Sequence, residues 1–222
     1  MLVEGFPAGP TETNCWVVAP AAGEECVIID PGIWADGPVA EIIDRHRLRP
    51  VAVLLTHGHF DHTFAVLPVC GARNIPAYIT PADRGQLTDP WSAVGMPPGT
   101  PMFGRLTWTE PDDVRPLRDG QVVQLAGLNL AVEAAPGHTP GQVTFRSGAD
   151  FFSGDLIFAD SIGRTDFPGG SLPDMMASLV RVVLPLPDDT RIRPGHGPDT
   201  TVGRERRSNL FLTEARRAVG AR

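Results

Sequence analysis

Short apolar runs divided by glycine and proline predict strands along much of the first 80 residues. An alternating or unbroken apolar run of about five residues indicates a strand there, and apolar spacings of three or four indicate a helix. The expected strands are 2–6, 14–19, 26–30, 51–55 and 76–80, the first three of them antiparallel. The expected helices are 39–47, 62–70 and 81–87, the last with a proline in its first turn.

The second half of the chain repeats this order of strands before helices. Its expected strands are 121–125, 128–134, 142–146, 151–153 and 190–193, and its expected helices are 172–183 and 203–219. Two runs of strands, each followed by helices, indicate two sheets packed on each other and covered by helices on both sides.

Residues 89–113 interrupt the pattern with a stretch rich in proline and glycine that also carries Trp91, Met96 and Phe103. A loop of this length inside a domain is often a lid or a binding loop. Its apolar residues are equally compatible with simple packing onto the core, and the sequence leaves both interpretations open.

Composition limits the classes of function. A chain of 222 residues fits one domain, and we expect residues 1–222 to form it. The net charge of −7 gives no electrostatic reason to bind nucleic acid, and no run approaches the roughly 20 apolar residues that span a bilayer. No signal peptide is expected from the N-terminal residues. All 19 basic residues are arginine, which excludes a lysine nucleophile or a Schiff base.

The cysteines are Cys15, Cys26 and Cys70, each flanked by apolar residues. Their odd number and the lack of C-x-x-C spacing argue against a disulfide framework and against a metal site. We therefore expect reduced, largely buried thiols and a cytoplasmic protein.

The strand at 51–55 leads directly into Thr56-His57-Gly58-His59-Phe60-Asp61-His62. Residues two apart in an extended segment point to the same side, so His57 and His59 can share one metal ion. Asp61 and His62 follow as the chain turns into a helix, where they can face a second ion. Imidazole and carboxylate suit zinc, iron or manganese. The alternative is a polar loop with incidental histidines, and four ligand-type side chains within six residues argue against it.

Three further ligand-type residues each follow a glycine at the end of a predicted strand: His138, Asp155 and His196. A glycine at such a turn permits close approach of the backbone. Two metal sites can be filled from the seven residues, with His57, His59 and His138 on one, Asp61, His62 and His196 on the other, and Asp155 bridging them. The sixth histidine, His46, is expected at the surface or at a helix end.

The complete pattern resembles the metallo-β-lactamase-fold hydrolases. It comprises His-x-His-x-Asp-His at 57–62, Gly-His-Thr at 137–139, Gly-Asp at 154–155 and Gly-His-Gly at 195–197. The resemblance implies an α/β fold, an αββα sandwich of two mixed sheets flanked by helices. Segments 161–171 and 194–201, followed by Glu205-Arg206-Arg207 and Asn209, are similar to the glyoxalase II-like group and above all to its short, single-domain bacterial members.

This resemblance implies hydrolysis of a small-molecule thioester, with hydroxyacyl-glutathione as the type substrate and a hydroxide bridging two divalent metal ions as the nucleophile. Zinc is the expected metal, with iron or manganese as alternatives. Asp61 would orient the hydroxide or take its proton. Asp30, in the strand-end Asp-Pro-Gly, would hold a ligand loop, or would be only a turn former. Arg164 and Asp166 would pair at the rim of the pocket.

The substrate itself stays open at this stage. Larger glyoxalase II enzymes bind glutathione partly through basic side chains of a C-terminal helical domain, and this chain has no lysine, so a different thiol carrier is an alternative. The 89–113 loop is the candidate for substrate selection.

Three other functions compete with thioester hydrolysis. A persulfide dioxygenase with a single iron and a lactonase both use the same fold, and Pro-Gly-His-Gly at 194–197 favours the hydrolase over the dioxygenase. A catalytically silent metal-binding protein is the third, and the complete set of ligands argues against it.

Overall fold

The apolar runs of the first half form one six-stranded sheet in the computed structural model, which describes residues 1–105 and 107–220. In spatial order its strands are β1 (Leu2–Ala8), β2 (Thr13–Ala19), β3 (Glu25–Ile29), β4 (Arg49–Leu54), β5 (Ala77–Ile79) and β6 (Val114–Pro116). The first three strands are antiparallel, as predicted, and β3, β4, β5 and β6 run parallel to one another.

The second half forms a second six-stranded sheet. Its strands are β7 (Val122–Leu125), β8 (Leu128–Ala134), β9 (Val143–Ser147), β10 (Asp150–Gly154), β11 (Arg191–Pro194) and β12 (Thr200–Thr201). Neighbouring strands are antiparallel except β10 and β11, which are parallel. Both sheets are therefore mixed.

The alternation of side chains along the strands divides the interior into three apolar layers. In β2, Cys15 and Val17 face outward, whereas Trp16 and Val18 face the space between the sheets. Phe145 of β9 lies fully buried in that space, where its burial contributes roughly 1.5–3 kcal/mol.

Helices cover both outer faces, which completes the predicted αββα sandwich. The first sheet is covered by α1 (Asp36–His46) and α3 (Val66–Arg73), whose buried side chains join its outer apolar layer. The short helices α2 (Phe60–Thr63) and α4 (Pro90–Val94) belong to the connections after β4 and β5. The helices over the second sheet are α5 (Leu172–Ser178), α6 (Val202–Ser208) and α7 (Leu210–Gly220).

The predicted helix 62–70 is interrupted between α2 and α3. The Ala65 amide donates to the carbonyl of Pro31 at 3.0 Å, so it is not available for the helical ladder. A Cβ added at Gly32 would lie 2.2 Å from the Asp61 carbonyl oxygen. The turn after β3 is thus pressed against the helix at the point where the helix breaks.

Three other predictions for helices need revision. Residues 81–87 form only a 3₁₀ turn at Arg84–Leu87. The helix 172–183 changes to π-helical geometry at Leu179–Val183. The helix 203–219 divides into α6 and α7, because the Asn209 side chain accepts the Phe211 and Leu212 amides at 3.1 and 3.2 Å and caps a new helix.

The described residues of the 89–113 stretch, 89–105 and 107–113, form a loop apart from α4, and they pack both on one another and on Phe64. The Trp91 indole donates to the Thr100 carbonyl at 2.8 Å, and Met102 is buried. The Arg105 guanidinium lies 4.1 Å from the centre of the Phe64 ring. None of the described helices is long and apolar enough to cross a bilayer.

Cys15, Cys26 and Cys70 are buried free thiols, as predicted. Burial raises the pKa of all three thiols, that of Cys26 and of Cys70 to about 12.

Because the thiolate is the reactive form, we expect the thiols of the native protein to react slowly with a disulfide reagent at pH 8. In the unfolded protein, we expect all three thiols to react rapidly. Fast stoichiometric reaction of any thiol in the native protein would contradict this packing.

Candidate metal centre

Turns that carry candidate ligands emerge at a common edge of the second sheet. Strands β8 and β10 are both antiparallel to β9, so they run in the same direction, and β11 is parallel to β10. The turns after these three strands deliver His138, Asp155 and His196 respectively. The loop after β4 reaches this edge from the first sheet, where the Thr56 carbonyl accepts the Val143 amide at 2.8 Å.

The predicted ligands lie in three overlapping groups. Within each group, the donor atoms are within 4.8 Å of one another. The groups are His57, His59 and His138; His57, His62 and Asp155; and Asp61, His62 and His196. The structure therefore brings all seven residues together, with the first and third groups composed as the sequence indicated.

Glycines at the ligand turns allow the close packing that the sequence suggested. A Cβ at Gly195 would lie 2.1 Å from Asp155 Oδ1, and one at Gly137, where φ is +141°, would lie 2.4 Å from the Met175 backbone. A side chain at either position would displace a ligand turn.

Four of the five histidines point Nδ1 at an acceptor outside the cluster. The pairs are His57 with Thr56 Oγ1 at 3.0 Å, His62 with Asp30 Oδ2 at 3.0 Å, His138 with the Arg164 carbonyl at 2.7 Å and His196 with the Thr11 carbonyl at 3.1 Å. These acceptors assign the proton to Nδ1 and leave Nε2 as a lone-pair donor, which is how metal-binding imidazoles are commonly oriented.

Several of the inward-facing atoms have no protein partner. The Nε2 atoms of His57, His59 and His138 are buried and form no hydrogen bond within the described part of the chain. A buried unpaired polar atom costs about 1–3 kcal/mol. A metal ion is the partner that fits, because the surrounding donors are all imidazole nitrogens and carboxylate oxygens.

Asp155 lies close to three of the ligand histidines. Its Oδ1 lies 3.3 Å from His62 Nε2, and its Oδ2 lies 3.4 Å from His138 Nε2 and 3.6 Å from His196 Nε2. The carboxylate therefore contacts both outer groups, as a bridging ligand requires.

Asp61 is fixed by a hydrogen bond from Thr13 Oγ1 to its Oδ2 at 2.9 Å, and the same oxygen lies 3.4 Å from His196 Nε2. Burial would raise the pKa of Asp61, but the neighbouring His62 and His196 lower it to about 2. Burial and the neighbouring His138 lower the pKa of His59 to about 3. At neutral pH Asp61 is therefore ionised and His59 neutral, the forms that bind metal. Burial would lower the pKa of His62 and of His196, but the neighbouring carboxylates raise it, so a metal ion bound by these two imidazoles would displace protons.

Asp30 holds the ligand loop, as one of its two sequence interpretations proposed. Its carboxylate accepts the Thr56 amide at 2.8 Å, the Thr56 hydroxyl at 2.7 Å and His62 Nδ1 at 3.0 Å. Through Thr56 it also orients His57. It occupies the left-handed region with φ of +50°, which aspartate tolerates better than bulky residues.

Sequence reasoning missed three neighbours of the cluster. Thr13 contacts Asp61 and Thr56 contacts His57, as described above. Asn14 Nδ2 donates to the carbonyls of Pro194 and Gly197 at 3.0 and 2.8 Å and so fixes the turn that carries His196. Only Thr56, which directly precedes His57, carried a local signal.

The remaining sequence candidates lie beside the cluster or away from it. Arg164 forms a bidentate pair with Asp166 at 2.7 and 2.8 Å and stacks 3.7 Å above the Phe167 ring, whose edge faces His59. His46 ends α1 and pairs with Glu4 at 2.6 Å, which agrees with its expected place at a helix end.

Replacing Asp30 by Asn puts an amide NH₂ where one carboxylate oxygen now accepts protons. We expect Asp30→Asn to weaken metal binding by about 10–100-fold, the usual cost of losing an outer partner of a ligand. Competition with a chromophoric chelator measures this. Glu205→Gln is the control, since Glu205 is a fully buried carboxylate in a hydrogen-bonded network around α6. Equal metal affinity in Asp30→Asn and wild type would contradict the assignment.

Other proteins are similar to nearly the whole length of this chain. An uncharacterised protein of Mycobacterium tuberculosis is 44% identical over 96% of this chain and 98% of its own. Hydroxyacylglutathione hydrolase GloC of Haemophilus influenzae is 33% identical over 96% of this chain and 98% of its own.

Solved structures agree with the architecture. BLEG-1 B3 metallo-beta-lactamase superposes with a TM-score of 0.86 at 37% identity, covering 96% of this chain and 100% of that one. TTHA1623 in a di-iron-bound form superposes with a TM-score of 0.80 at 40% identity, covering 95% of this chain and 100% of that one. ETHE1 from Myxococcus xanthus shares the fold. It superposes with a TM-score of 0.77 at 22% identity, covering 98% of this chain and 91% of that one. The family model of the metallo-beta-lactamase superfamily matches residues 8–196, and the chain belongs to that superfamily.

Proposed function

We propose that this protein is a binuclear metallohydrolase that cleaves thioesters. The observation that carries the proposal is Asp155, whose two oxygens face imidazoles of two separate ligand groups. Membership of the superfamily supports a metal-dependent hydrolase in general. The thioester is the finer step, supported by the 33% identity to GloC.

The proposed ligands are His57, His59 and His138 for one ion and Asp61, His62 and His196 for the other, with Asp155 shared. Zinc is the metal we propose, since it suits this mixture of nitrogen and oxygen donors. Iron is the principal alternative, because TTHA1623 was crystallised in a di-iron-bound form, and manganese is also compatible.

Two divalent ions bound there would lower the pKa of a water molecule and polarise the scissile carbonyl. The residues of this chain supply position and proton transfer. Asp61 has its Oδ2 held by Thr13, so its carboxylate can orient the attacking water and accept its proton. A thiolate leaves readily without an acid to protonate it, because free thiols have a pKa near 8.5.

The 89–113 loop is the proposed wall of the substrate pocket. A Cβ at Gly95 would lie 3.7 Å from Pro168, so the loop meets the segment that carries Phe167. Farther along, the Phe103 ring stacks on Phe60 of the ligand motif with centroids 5.9 Å apart. The loop therefore approaches both the segment that carries Phe167 and the ligand motif itself.

Phe103 has features of a functional residue. It keeps 40% of its surface exposed and has φ of +48°, an unfavourable conformation for a bulky side chain. Trp34, 55% exposed, packs against it edge to face at 6.2 Å. Exposed aromatic rings that contact Phe60 of the ligand motif are suited to an apolar part of the acyl or thiol group. We propose a small-molecule substrate. Because the three cysteines are buried free thiols, we also propose that the protein is cytoplasmic.

Hydrolysis of β-lactams is a second candidate. The specific observation in its favour is the 37% identity to BLEG-1 B3 metallo-beta-lactamase over the whole of that chain. Asp155, placed between the two outer ligand groups, favours the thioesterase, since binuclear lactamases generally lack the bridging aspartate that Asp155 matches. At 22% identity, the similarity to ETHE1 shows the fold alone. It therefore gives no further support to the alternative that this protein is a single-iron persulfide dioxygenase.

The direct test measures thiol release from S-lactoylglutathione and from acyl-coenzyme A thioesters, with β-lactams assayed in parallel. We expect His59→Ala to lose at least about 100-fold in kcat/KM, more than the loss of an outer partner of a ligand costs. His46→Ala is the matched control, because His46 pairs with Glu4 away from the cluster. Undiminished hydrolysis by His59→Ala would refute the metal mechanism, and faster β-lactam than thioester cleavage would establish the second candidate.

The role of the loop is tested by Phe103→Ala. Loss of a contact with an apolar acyl group should raise KM about 5–30-fold for an aromatic or branched thioester and leave kcat nearly unchanged. Val122→Ala, an exposed apolar position on β7, serves as the control. A fall in kcat with unchanged KM, or equal effects of both substitutions, would contradict a substrate-binding role for Phe103.

A further inference from the structure

Asp83 is a fully buried carboxylate that none of the sequence patterns indicated. It lies between β5 and the 3₁₀ turn at Arg84–Leu87. Its Oδ2 accepts the Gly58 amide at 3.0 Å and the Thr139 hydroxyl at 2.6 Å, and its Oδ1 accepts the Gly141 amide at 2.8 Å. Three donors converge on one side chain that offers only acceptors.

These donors belong to the two segments that supply one ligand group. Gly58 lies between His57 and His59, and Thr139 directly follows His138. The three histidines come from loops about 80 residues apart in the chain and from different sheets. The Asp83 carboxylate accepts hydrogen bonds from both loops and so fixes one against the other.

The backbone around Asp83 is built for this contact. A Cβ at Gly58 would lie 2.7 Å from the Asp83 carbonyl oxygen, and a Cβ at Gly141 would lie 2.5 Å from Asp83 Oδ1. On the same segment, Thr80 donates its hydroxyl to the Gly141 carbonyl at 2.7 Å. The segment 80–83 thus holds both the amide and the carbonyl of Gly141.

The other outer ligand group is held by different residues. Asp61 is fixed by Thr13, His62 by Asp30, and His196 by the Thr11 carbonyl. Asp83 forms none of these contacts among the described residues. Asp30 contacts both groups, through His62 and through Thr56 beside His57, whereas the contacts of Asp83 are confined to the loops of the His57, His59 and His138 group.

We propose that Asp83 is a positioning residue for the His57, His59 and His138 group and sets the affinity of that group for its metal ion. The inference rests on the proposed binuclear function. Asp83 touches neither the ligand atoms nor the place of the reaction, so its effect passes through the geometry of the two loops.

Asp83→Asn tests the inference with nearly unchanged shape. An asparagine amide has one acceptor oxygen and one NH₂ group, so either orientation sets the NH₂ against the backbone amide of Gly58 or of Gly141. Thr139→Val removes a single hydrogen bond to Asp83, and Thr139→Ser retains its hydroxyl. Asp150→Asn is the control, since Asp150 is also a buried carboxylate but pairs with Arg191 and Arg193.

The measurement is a titration of each metal-free protein with Co²⁺, followed by visible absorption and by competition with a chelator. In Asp83→Asn we expect one of two ions to bind about 10–100-fold more weakly and the other to bind as in wild type. Thr139→Val should shift the same ion in the same direction by a smaller factor. Thr139→Ser and Asp150→Asn should match wild type.

Wild-type affinity for both ions in Asp83→Asn and Thr139→Val would overturn the inference, and so would an equal weakening of both ions. If Asp83→Asn does not fold, the pair Thr139→Val and Thr139→Ser decides the question. If wild type binds a single ion, the binuclear function is wrong. The role of Asp83 then stands if Asp83→Asn weakens that ion, and falls if it does not.

Discussion

Seven side chains that prefer water or a cation are held within a few ångströms of one another, most of them with little or no exposure to solvent. Three imidazole nitrogens among them have no hydrogen-bond partner in the described part of the chain. Each such atom costs about 1–3 kcal/mol. The free energy of binding a metal ion exceeds this cost, being on the order of 10–16 kcal/mol for structural zinc in small peptides. The rest of the site can be understood as the means of holding these donors in place until an ion joins them.

Support for the donors comes from both sheets. Parallel and antiparallel pairings in the second sheet bring the turns after β8, β10 and β11 to one edge, and the loop after β4 is joined to that edge through the Thr56 carbonyl. Two buried carboxylates then fix the loops. Asp30 accepts hydrogen bonds from Thr56 and His62. Asp83 accepts hydrogen bonds from Gly58 and Thr139. Neither carboxylate belongs to the three donor groups.

The sequence could predict the strands and the seven donors because both have local signals. Alternating or continuous apolar runs between glycine and proline determine the strands, and the donors either belong to the motif at 57–62 or follow a glycine at a strand end. Edge strands β6 and β12 were missed because they have three and two residues and carry little apolar pattern. The breaks in the helices depend on partners distant in sequence, such as the Pro31 carbonyl that accepts the Ala65 amide. Thr13 and Asp83 contact residues 48 and 56 positions away, a separation that no periodicity reveals.

A binuclear centre requires that two ions occupy one buried cluster in which Asp155 is shared. The most direct measurement is an anomalous difference map, recorded at the absorption edge of the metal, from a crystal of protein purified without chelators. We expect two peaks, one beside His57, His59 and His138 and one beside Asp61, His62 and His196, with a carboxylate oxygen of Asp155 next to each. A single peak, or a second peak away from these residues, would contradict it.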